Sequence, residues 1–240
     1  LTRYSFGSTG SKAASIFLPV VNLGWYTIQA ATYGHFVAQV FHMGQVGEGI
    51  CMAVSAIVMG IFAMCGIGAI TILGYIAIPA IVFLSIATAI RSLGVIGGME
   101  ALFAYVPSSD MPLFTGITAV IGTWVLSTAT CIADIMRYAK DTKAAVSATL
   151  TGLLGGNILM IVCGAIAAIA MQNSDLTVIL LGFGLVIPSL ILMTTNIFTT
   201  NAANLYSTSL NLSNAFKMER KKMLAILLVL SALATLTKPY

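Results

Sequence analysis

Runs of about twenty residues with hardly a charge recur along this chain, and they limit its fold more than any other feature. About twenty mostly apolar residues cross a bilayer as a helix. No water reaches the backbone in hydrocarbon, so such a segment must bond its own N–H and C=O groups. That ruler predicts six full spans, near Ser15–Phe41, Ile50–Ile72, Gly74–Ile90, Leu113–Ala133, Ala145–Met171 and Leu176–Tyr206. A seventh, Met223–Leu236, is short. Of the 240 residues 59% are hydrophobic and 8% charged, with a mean hydropathy of +1.01. A soluble domain carries roughly 25% charged residues. The expectation is an all-α integral membrane protein of about seven transmembrane helices, with the lipid bilayer as its first partner.

Charge placement supports that count. Alternating seven spans puts Arg3, Lys12, Arg137, Lys140, Lys143, Lys217, Arg220, Lys221 and Lys222 on one side, and Arg91 and Lys238 on the other. The positive-inside rule assigns the crowded side to the cytoplasm. The first residue is therefore expected there, in a multi-pass protein of the cell membrane, plasma or inner. The net charge of +4 then speaks of topology and not of nucleic acid. Cys51, Cys65, Cys131 and Cys163 lie in apolar runs without CxxC spacing and read as small buried hydrophobes. No Met stands at position 1, and the chain ends on Lys238-Pro239-Tyr240 just after an apolar run, so it reads as part of a longer protein.

Polar residues inside the spans point to function. The stretch PSLILMTTNIFTTNAANLYS, 188–207, starts as a membrane helix and then fills with Thr and Asn. Neutral amides and hydroxyls are costly in hydrocarbon unless something bonds them. Asn196, Thr199 and Thr200 stand at i, i+3 and i+4, so they share a helix face. Converging neutral oxygens suit a small cation such as Na⁺ or the polar edge of a flat ligand. They equally suit hydrogen bonds between helices. In the first span Asn22, Trp25 and Gln29 share a face, and Trp25 lies near mid-span. An indole beside amides offers a stacking surface and edge bonds to a planar ligand, or it is a core Trp among helix-joining amides. Trp124 sits among Thr123, Ser127, Thr128 and Thr130 in the fourth span, and Asp134 and Arg137 stand at i and i+3 near its end. No GxSxG, HExxH or TVGYG pattern is present, so hydrolase, zinc-protease and potassium-filter chemistry lack their residues and no enzyme is expected.

Several stretches resemble the nucleobase:cation symporter-1 family, its cytosine permeases in particular. They are TRYSFGSTGS, NLGWY, YIAIPAI, IADIMRYAK, GGNILMI and, most specifically, NIFTTNAANLYSTSLNLSN. The resemblance implies a LeuT-like fold of two inverted five-helix repeats with substrate near the midplane. It would be incomplete here, running from just before the third helix to within the ninth. Residues 1–91 would be the latter part of the first repeat, 92–112 an extracellular or periplasmic connection, and 113–240 a truncated second repeat. Trp25 would be the aromatic on which the base stacks, with Trp124 the nearest candidate for the opposing ring. Asn22 stands where cytosine permeases show a Gln, and its shorter amide reaches less far. Asn196, Thr199 and Thr200 would face sodium, and Asn201 would be a substrate-side amide beside Asn22 and Gln29.

The function expected is secondary active transport of a nucleobase, cytosine first, into the cell by alternating access. The coupling cation would be Na⁺ or H⁺, with no other cofactor. A sibling carrier for a purine, allantoin, a hydantoin or a thiamine-like heterocycle is the alternative within the class. A non-transporting membrane scaffold is the alternative outside it.

Overall fold

The structure, a computed structural model, describes residues 2–107, 110–126, 128–173 and 176–240; the side chains of 2–6, 8–9, 12, 123–130 and 176–178 lie outside that description. All regular structure among the described residues is helical. In chain order the helices are α1 Thr2–Val40, α2 Gln45–Cys65, α3 Ile67–Ile96, α4 Met99–Phe103, α5 Leu113–Leu126 and α6 Thr128–Met136. There follow α7 Thr142–Leu150, a π-helical turn Thr151–Gly156, α8 Asn157–Met171, α9 Leu176–Gly182, α10 Val186–Phe216 and α11 Arg220–Thr235. The chain is an all-α membrane protein.

Three described helices are long and apolar enough to cross a membrane by themselves: Gln45–Cys65, Ile67–Ile96 and Thr142–Met171. The other expected spans fall short of that measure for identifiable reasons. Helices α1 and α10 carry the polar residues singled out above. Helix α11 has only 16 residues.

The helix boundaries correct the expected spans at several points. The second helix ends at Cys65, well before Ile72, because Gly66 adopts φ +88° and the third starts directly after it. The expected sixth span is two helices, α9 and α10, separated at Gly184, whose φ is +68°. An L side chain rarely adopts that conformation, so glycine is the residue for such a break. The expected connection at 92–112 is partly helical, since α3 runs to Ile96 and α4 follows.

The chain divides into two compact units, whose boundaries fall inside α3, α5 and α10 and just after α6. The first comprises 1–74, 118–137 and 197–240. Helices α1, α2 and α11 pack against one another there. Helix α2 turns Met52, Ser55, Ala56, Met59, Gly60 and Ala63 inward, while Ile50, Val54, Ile57 and Ile61 face outward. Outward apolar residues are at no disadvantage in lipid, so small inward residues set how closely the helices approach. A Cβ on Gly34 would lie 2.3 Å from the Met52 Cα, the mark of two backbones in near contact. Phe198 of α10 meets the rings of Tyr33 and Phe62 edge-on at 5.3 and 5.9 Å.

The second unit comprises 75–117 and 138–196. Its core is Ala167, Ile179 and Phe183, with Met171 and Leu185 against them. Arg91 donates to the Phe183 carbonyl at 3.0 Å and lies 5.3 Å from the Phe183 ring centre. The α9 break leaves terminal carbonyls without helical partners, and Arg91 satisfies one of them.

Candidate substrate and cation site

All five predicted substrate residues fall in the first unit. Asn22 is buried on α1, and Trp25 and Gln29 are half-buried on the same helix. Asn201 on α10 is fully buried. Trp124 belongs to α5, but its side chain lies outside the described residues.

Asn201 is held on two sides. Its Nδ2 donates to the Tyr26 carbonyl at 3.1 Å and lies 3.2 Å from the Met59 Sδ. The Tyr26 carbonyl can only accept, which fixes the amide's orientation and leaves Oδ1 as the outstanding atom. That Oδ1 is buried and has no hydrogen-bond partner among the described residues; neither has the Gln29 Oε1, three residues along α1 from Tyr26. Buried polar atoms are nearly always paired in proteins. Each of these two acceptors could take a donor from outside the chain; Asn204 Nδ2, Ser213 Oγ and Ser231 Oγ are likewise buried without a partner among the described residues.

The predicted cation residues Asn196, Thr199 and Thr200 stand at i, i+3 and i+4 of the continuous helix α10, each half-buried. An unbroken helix commits its carbonyls to its own ladder, so side-chain oxygens are what this segment offers a cation. Among the described residues no three His, Cys, Asp or Glu side chains gather as a metal site.

The structure adds contacts that sequence reasoning did not supply, several of them on residues it passed over. Tyr26 is fully buried and its hydroxyl donates to the Ala56 carbonyl, joining α1 to α2. The buried set Asn22, Tyr26 and Ala30 recurs every four residues, a signal legible beside the stripe through Trp25. Asn204 accepts from the Cys131 Sγ at 3.7 Å and is buried. Asp134 receives the Ser207 hydroxyl and, at 2.9 Å, the Asn211 amide. Arg137 donates to the Tyr206 hydroxyl at 3.1 Å, and the Arg220 guanidinium lies 4.7 Å from the centre of that ring. At the other end of the unit Glu48 accepts from Lys238 and Tyr240 and meets His35.

Comparison with known proteins places the chain in a family. Residues 1–239 match the family described as permease for cytosine/purines, uracil, thiamine, allantoin. Cytosine permeases of Escherichia coli strain K12 and of Escherichia coli O157:H7 are each 30% identical over 226 residues, 94% of this chain and 53% of theirs. The chain thus spans about half the length of the curated relatives it matches. The resemblance carried by NLGWY and NIFTTNAANLYSTSLNLSN extends over nearly all of it. The chain belongs to the family of permeases for cytosine/purines, uracil, thiamine and allantoin.

Proposed function

We propose that the protein containing this chain carries a nucleobase, cytosine first, into the cell with a cation by alternating access. The observation that supports this most is that two buried acceptors, Asn201 Oδ1 and Gln29 Oε1, have no partner among the described residues. Cytosine carries an exocyclic amine, a donor, where uracil carries an acceptor oxygen at the same ring position. Orphan acceptors therefore favour the aminated base, and the names of the relatives agree. Trp25 supplies the stacking face and Asn22 a further edge contact. Asn196, Thr199 and Thr200 contribute side-chain oxygens to Na⁺, and ion binding biases the carrier toward the state that accepts substrate.

The test is uptake of labelled cytosine and uracil by cells expressing the whole protein, with and without an imposed Na⁺ gradient. Gradient-dependent cytosine uptake is the expected result, with uracil weaker. Cytosine uptake indifferent to Na⁺ points to proton coupling and removes the role given to Asn196, Thr199 and Thr200. Absence of uptake and of any base-induced rise in melting temperature would favour a scaffold.

A further inference from the structure

A pocket of about 540 Å³ opens between α1 and the C-terminal end of α10, lined by Ser11, Ser15, Ile16, Asn214, Ala215 and Lys217. Two hydroxyls, a carboxamide and an ammonium make up its polar lining, and no carboxylate is among them. Lys217 ends α10 with φ +51°, is exposed, and forms no ion pair among the described residues. Arg220, Lys221 and Lys222 follow within five residues, offset by Glu219 alone. The chemistry of the pocket is that of an anion site.

What adjoins it is apolar. Along α1 the residues Ile16, Val20, Gly24 and Ile28 recur every four positions, all exposed, so one strip runs from the pocket along the helix. Phe17 and Phe216, each 61% exposed, flank its start. A free inorganic anion would use the basic end and ignore this strip. A phospholipid would use both, because basic pockets between transmembrane helices hold anionic headgroups. We propose that this pocket binds the headgroup of an anionic phospholipid, with Lys217 on the phosphate, Ser15 and Asn214 on its oxygens or glycerol, and an acyl chain along Ile16, Val20 and Ile28. The site is separate from the amides around Tyr26 and does not depend on the substrate reading.

Native mass spectrometry of the whole protein, reconstituted in vesicles of phosphatidylcholine and phosphatidylglycerol, tests it. Retained phosphatidylglycerol in preference to phosphatidylcholine is expected. Lys217→Gln should weaken retention about fivefold, as the loss of one cation near a membrane surface implies. Lys217→Arg should keep it, and Lys222→Gln, removing a charge outside the pocket, should leave it unchanged. Equal losses in Lys217→Gln and Lys222→Gln would reduce the effect to net charge and overturn the site. So would equal retention of the two lipids, no lipid retained at all, or displacement of the lipid by millimolar inorganic phosphate.

Discussion

The side-chain amide of Asn201 donates to the backbone carbonyl of Tyr26 across 3.1 Å, joining two helices whose contact residues lie 175 positions apart in sequence. The contact does more than connect them. With the nitrogen shared between that carbonyl and the Met59 sulfur, the amide cannot turn, and its oxygen is held in one direction before any ligand arrives. Preorganised polar atoms bind more strongly than mobile ones because no ordering cost remains.

Asn201→Ala should therefore weaken cytosine binding at least about tenfold, the loss of one good hydrogen bond to a buried partner. Stability should fall by only about 1 kcal/mol for the lost bond to Tyr26. Asn201→Asp should do worse on both counts, since it turns a carboxylate oxygen toward the Tyr26 carbonyl. Ligand-dependent melting curves separate the two effects. Unchanged cytosine affinity in Asn201→Ala would remove Asn201 from the site.

Adjacent aromatics on α1 should behave differently. Trp25 is half-buried and Tyr26 fully buried, with its hydroxyl on the Ala56 carbonyl. Trp25→Ala should abolish measurable base uptake while leaving membrane insertion intact. Tyr26→Phe should lower thermal stability by about 1 kcal/mol and leave the Michaelis constant for cytosine near its original value. Uptake that survives in Trp25→Ala would end the stacking role.

How much of this was legible beforehand depends on the range of the interaction. Apolar runs report burial in lipid directly, so the helical class and the three most apolar spans could be read from the sequence. The break at Gly184 could not, because hydrophobicity runs almost unbroken from Leu176 to Met193 and a single positive φ interrupts it. The stripes Asn22–Trp25–Gln29 and Asn196–Thr199–Thr200 were visible because helical period is local. The bond from Asn201 to Tyr26 was not, since it depends on the register between two helices. The partners of His35 lie beyond the local pattern for the same reason: Glu48, 13 residues on, and Tyr240, 205 residues on, meet it in the fold.

Asp134 provides a test of polar bonding near a helix end. Its carboxylate takes the Ser207 hydroxyl and the Asn211 amide, both from α10. Asp134→Ala leaves those two donors without their acceptor and should cost about 1–3 kcal/mol. Asp134→Asn keeps one oxygen and should cost less. Melting temperatures in detergent give the ranking, and an Asp134→Asn variant less stable than Asp134→Ala would contradict it.

Gly34 should tolerate no side chain without a shift of the backbone. A Cβ there would meet the Met52 Cα at 2.3 Å and the Met52 nitrogen at 2.5 Å, both backbone atoms that cannot rotate aside. At Gly60 the nearest atom is instead the tip of Leu228, which has other rotamers. Gly24 meets nothing within 4 Å. Gly34→Ala must push α1 and α2 apart, an overpacking that costs typically 1–3 kcal/mol. Gly24→Ala should be neutral or stabilising by up to about 1 kcal/mol, because Ala favours the helix over Gly. Separation of α1 from α2 would also part the Tyr26 carbonyl from the Met59 sulfur, the two groups, one on each helix, that hold the Asn201 nitrogen. Gly34→Ala should accordingly lose cytosine affinity together with stability, whereas Gly24→Ala loses neither. A stable Gly34→Ala with full affinity would show that the helices do not approach so closely.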